Sequence, residues 1–117
     1  MTIVEVLKAA RALIDTPEKW TKWDNAQRSD GASVAIADSQ AYKFCASAAI
    51  VRVWAVGCAE AQEDNLLRRK TNLDAVDALR KVVWGERDYP IAQWNDAPER
   101  THAEVMEAFD KAIAEAQ

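Results

Sequence analysis

Cys45 and the single histidine, His102, would have to pair for this 117-residue sequence to make a cysteine nucleophile and its base. Cys45 stands in alanine-rich, helix-like sequence, where cysteine usually serves as a small buried hydrophobe. His102 falls in the first turn of a helix, where the ring is usually exposed. Both therefore read as architecture: no catalytic residue is assigned, and an enzyme is not the favoured class. One histidine and two separated cysteines make no CxxC, HExxH or paired His/carboxylate pattern, so no metal is expected. Gly31, Gly57 and Gly85 are scattered where a phosphate-cradling loop needs clustered glycines, and no cofactor is expected.

The densest run of polar chemistry is Trp94-Asn95-Asp96-Ala97-Pro98-Glu99-Arg100-Thr101-His102-Ala103-Glu104-Val105. Asn95 and Asp96 suit the turn before Pro98, Arg100 reaches Asp96 or Glu104, and Thr101 suits a helix N-cap. Capping alone accounts for these residue types. If the run is a ligand or partner site, Trp94, Asn95, Asp96, Arg100 and His102 carry it. The five tryptophans, Trp20, Trp23, Trp54, Trp84 and Trp94, exceed ordinary usage for the length, and four of them fall at helix ends or in loops. A tryptophan there either staples a loop to the core or anchors an interface.

Those residues need a scaffold, and the composition describes one. Half the residues are apolar and 29% are charged, so the chain folds as one ordinary domain over 1–117 with one core. The net charge of −4 argues against nucleic acid, since phosphate binding needs a cationic footprint; Arg68-Arg69-Lys70 reads as a solvated helix end. Met1 to Leu13 holds no leader-like apolar run, and Phe44 to Ala59 is interrupted by Arg52 and too short to span a membrane. A reducing cytoplasm suits Cys45 and Cys58, which lie too far apart on one helix for a disulfide.

With only three glycines and three prolines, long helices are expected. Thr2-Ile3-Val4-Glu5 is a capping box before an apolar stripe ending near Ile14. Ser39 to Gly57 is apolar nearly all round and reads as the central helix, with Arg52 snorkelling to the surface; a further helix is expected over Ala59 to Arg69, continuous with the central one if Gly57 merely weakens it. Thr71-Asn72-Leu73-Asp74 starts a helix over 72–84 with Leu73 inward, stopped by Gly85. Thr101-His102-Ala103-Glu104 caps the last helix, and Asp96-Ala97-Pro98-Glu99 marks a short turn before it. The least helical part is 16–38: Thr16-Pro17-Glu18 starts one turn, and the rest is an ordered loop or a small hairpin across Asp30-Gly31 pairing Trp20 to Trp23 with Val34 to Ile36. The fold class is all-α, four to five helices with this excursion.

The Trp94 to Thr101 run, together with Phe44-Cys45-Ala46-Ser47-Ala48-Ala49-Ile50 and Phe109-Asp110-Lys111-Ala112-Ile113, resembles a family of small bacterial and phage proteins of unknown function. Its members carry a Trp-Asn-Asp-x-Pro-x-Arg-Thr segment before a final helix; here Phe44 and Ala48 replace that family's mid-chain tryptophan and glycine. The resemblance implies a relative without implying a reaction. The leading functional expectation is a small cytoplasmic interaction or regulatory protein that binds a macromolecule, or a second copy of itself, through an aromatic-bearing face. The alternative is a small enzyme or ligand-binding domain using the Trp94–His102 loop and Cys45. A deep pocket joining that loop to Cys45 would favour the alternative, and a convex aromatic surface without a pocket the first.

Overall fold

In the computed structural model, residues 1–60 and 65–117 are described, except the side chains of 57–60 and 65, so the expectation for the Cys58 thiol lies outside the described residues. Five α-helices are present among them: α1 (Ile3–Leu13), α2 (Ala46–Glu60), α3 (Asn65–Trp84), α4 (Ile91–Asn95) and α5 (His102–Ala116). Both expected capping boxes form, Thr2 with Glu5 and Thr101 with Glu104, each hydroxyl accepting from the amide three residues on and each carboxylate returning the bond. Gly85 takes φ +66 and donates its amide to the Lys81 carbonyl, ending α3 as its position foretold. The helix stripes meet in one core in which Leu7, Ile14, Ile50, Leu79, Val105 and Phe109 are fully buried. α1 packs on α2, α3 and α5, and α3 also packs on α2, α4 and α5. No described helix is long and apolar enough to cross a membrane.

Three expectations about the helices are corrected. The central helix begins at Ala46, because Lys43–Phe44 is drawn into strand pairing and Asp38 builds its own turn by accepting the Gln40 amide at 2.7 Å. Cys45 therefore precedes the helix, its carbonyl taking the first helical bond from Ala49. Thr71 caps nothing: α3 runs through it, its hydroxyl turns back to the Leu67 carbonyl at 3.1 Å, and Asp74 pairs with Lys70 one turn earlier. Leu73, expected inward, is 53% exposed, and the inward place goes to Asn72, whose amide donates to the Ile50 carbonyl at 2.7 Å.

The excursion forms around a miniature sheet. Strand β1 (Ala26–Gln27) pairs antiparallel with β2 (Lys43–Phe44), and Pro17–Lys19 is the short helical turn that Thr16-Pro17-Glu18 announced. A tight turn does cross Asp30-Gly31, with Gly31 at φ +90, but Val34 bonds Ala26, whereas Trp20 bridges to Phe44. Arg52 does not snorkel. Its guanidinium crosses the Phe44 ring and donates to the Ile36 and Asp38 carbonyls, both at 2.7 Å, tying the excursion onto α2.

Candidate functional site

The candidate residues meet where the excursion lies against the segment between α4 and α5. Asn95 ends α4 and is fully buried. Its Oδ1 accepts from the Trp20 indole N–H at 2.7 Å and from the Ala46 amide at 3.1 Å. Its Nδ2 donates to the Thr21 carbonyl and to Asp96 Oδ1, both at 3.0 Å. Every bonding direction of the amide is used, so a polar group sits in the core at no standing penalty. It joins the excursion, the start of α2 and the end of α4.

Asp96 carries that link to the surface. The same Oδ1 that Asn95 holds accepts the backbone N–H of Trp23 at 2.8 Å. Lys22 extends over the segment and donates to the Ala97 carbonyl at 2.8 Å and the Pro98 carbonyl at 3.0 Å, its charge standing 5.5 Å from the Trp20 ring and 5.7 Å from the Trp23 ring. Trp23 itself is held at φ +61, left-handed backbone that a bulky residue rarely adopts, and it is 73% exposed. Loop sequence alone would let the backbone relax. The Asp96 and Lys22 bonds keep it in place.

The other tryptophans near this face are staples. Trp94 carries the Arg100 guanidinium 4.2 Å above its ring; Arg100 also donates to the Trp94 carbonyl at 2.9 Å and pairs with Glu104 at 3.2 Å, rather than with Asp96. Trp84 donates its indole N–H to the Pro90 carbonyl at 2.9 Å and meets Tyr89 edge-on. His102 is partly buried, where exposure was expected: a ring nitrogen hydrogen-bonds the Ile14 carbonyl at 2.7 Å and the ring lies 6.1 Å from that of Trp20. Glu104 accepts the Thr101 amide and hydroxyl, which hold its carboxyl below its ordinary value, with Arg100 adding to the effect.

Cys45 floors a hollow of about 280 Å³ that Asp96, Trp23, Asp24, Asn25 and Ala92 also line. A pocket does therefore join the candidate loop to Cys45. Its chemistry is weak, however. The thiol is 2% exposed, and burial pushes its pKa up, away from the thiolate a nucleophile needs. Its polar neighbours are Ser47 Oγ at 3.6 Å and Asn25 Oδ1 at 4.0 Å, and the described hydrogen bonds of His102 do not include it.

Of the five candidate residues, Asn95 and Asp96 stand at the centre of this arrangement, Trp94 and Arg100 form a stacked brace beside it, and His102 ties α5 to the end of α1. The sequence missed Lys22 and Trp20 as their partners, because contacts across some 75 positions leave no local trace. The chain matches a family described as a family of unknown function (DUF6197) over residues 1–115. No curated protein and no solved structure matches it.

Proposed function

The chain belongs to that family of unknown function, and we propose that it is a cytoplasmic interaction module of bacterial or phage origin that binds a macromolecular partner through the face presenting Trp23. One observation carries the proposal: a tryptophan held at φ +61 by Asp96 and left 73% exposed. Tryptophan is among the commonest interface anchors, and a strained, exposed aromatic gives its own fold little beyond the contact with Lys22. The Trp-Asn-Asp part of the loop motif then has a task. Asn95 fastens the excursion to the core, and Asp96 fixes the Trp23 backbone. The hollow beside Cys45 lends the ligand-binding alternative little support, because its one nucleophile is a buried thiol whose pKa burial raises.

The test is Trp23→Gly. Glycine accepts φ +61 without strain, so this variant stays as stable as the parent, within about 1 kcal/mol, while losing the anchor. Affinity purification from the native host, with the parent and the variant side by side, is expected to show a partner retained by the parent and lost by the variant. An identical set of partners on both, with the variant folded, refutes the proposal.

A further inference from the structure

A groove of about 560 Å³ opens between α1, α2 and the start of α3, and it involves none of the residues that present Trp23. Val6, Val53, Trp54 and Leu67 wall it, with Arg68 and Thr71 at its polar side. Its volume falls in the range of about 300–1,000 Å³ typical of small-molecule sites, and a mostly apolar wall with a few polar groups is their usual make-up. Two further features say what would fill it.

Arg68 makes no ion pair among the described residues, so its charge is open to a partner. Arg69 follows it directly in α3, so positive charge gathers at this part of the helix. The indole N–H of Trp54 is shut off from water and has no acceptor, alone among the described tryptophans whose N–H is buried. Leu67, a wall residue, is 63% exposed and leaves apolar surface open to an occupant.

We propose that this groove binds a single-chain amphiphilic anion, its apolar body between Val6, Val53, Trp54 and Leu67 and its carboxylate at Arg68. The guanidinium offers a planar pair of donors that suits a carboxylate.

Isothermal titration calorimetry with decanoate, and with decan-1-ol as the uncharged probe, tests this on the parent, Arg68→Gln and Leu67→Glu; both positions are exposed enough to change without disturbing the core. The parent is expected to bind one decanoate saturably. Arg68→Gln should weaken decanoate by about tenfold or more while leaving decanol within about twofold, as losing a hydrogen-bonded charge does. Leu67→Glu should weaken both. Absence of saturable binding overturns the proposal, and so does an Arg68→Gln variant that weakens both probes equally. A parent that sediments as a dimer and is dissociated by Leu67→Glu overturns it too, because a second copy then covers the groove.

Discussion

Replacing Asn95 with alanine removes a side chain that bonds the excursion, α2 and α4 together. Two donors lose their acceptor, the Trp20 indole N–H and the Ala46 amide, and the Thr21 carbonyl loses a donor. Each buried polar group left unmatched costs about 1–3 kcal/mol. Water reaching the partly buried Trp20 end offsets some of that, so Asn95→Ala is expected to lose about 3–4 kcal/mol, a large part of the roughly 5–15 kcal/mol that holds a domain together. Urea unfolding followed by far-UV circular dichroism reads this without the confusion of altered tryptophan fluorescence. Asn95→Asp sharpens the test. It keeps Oδ1 for the two donors but sets a buried carboxylate beside Asp96, and burial and like charge both raise its folded pKa above the unfolded one. The folded state then binds the extra proton more tightly, so stability falls as pH rises and the deficit shrinks in acid. A loss below about 1 kcal/mol for Asn95→Ala, no more than a surface change, would refute the reasoning.

Thr101→Ala should cost about 0.5–2 kcal/mol through the lost cap of α5. Arg100→Ala should cost as much or more, about 1.5–3 kcal/mol, because its side chain is only 17% exposed, stacked on Trp94 and bonded to the Trp94 carbonyl; a denaturant melt with Thr101→Ala clearly the worse variant contradicts the stacked brace. The Thr101 amide and hydroxyl hold the Glu104 carboxyl below its ordinary 4.5, so its contribution is present above that pH and lost as pH falls through the depressed folded value. The gap in urea midpoint between the parent and Glu104→Gln should therefore narrow in acid, and a gap that does not vary with pH counts against it. In a Cys58→Ala background, Cys45 should react slowly with a thiol reagent under native conditions; rapid stoichiometric labelling would revive the nucleophile.

What the sequence made legible was local. The capping boxes at Thr2 and Thr101 and the glycine stop at Gly85 each need only neighbours within four residues, and all three form. α4 went unread because five residues are too few to show a helical period, and its geometry is held by Asn95 and by Trp94 with Arg100. Thr71 misled because an N-cap and a mid-helix hydroxyl are the same residue type; only the continuity of α3 through it decides which bond it makes. The candidate site was legible as a list of residues but not as an arrangement. Asn95 looked like a turn former, and three of its four bonds reach two distant elements, the excursion and α2, which makes it a buried joint instead.

The same contrast separates the tryptophans. Trp20, Trp84 and Trp94 each combine a partly buried ring with a polar tie, the Trp20 and Trp84 indole N–H groups to carbonyl acceptors and the Trp94 ring to a guanidinium, as a staple should. Trp23 breaks two local rules at once, exposing a large apolar ring and holding it on left-handed backbone. Folds tolerate such conflicts where something other than stability is served. Asp96 shows how this one is maintained. A single carboxylate oxygen accepts from Asn95 on its inner side and from the Trp23 amide on its outer side, so the exposed loop cannot relax without disturbing a fully buried residue. The backbone beneath the ring is thus held on a firm mount, and under the function proposed above a partner docking there would find little ordering left to oppose association.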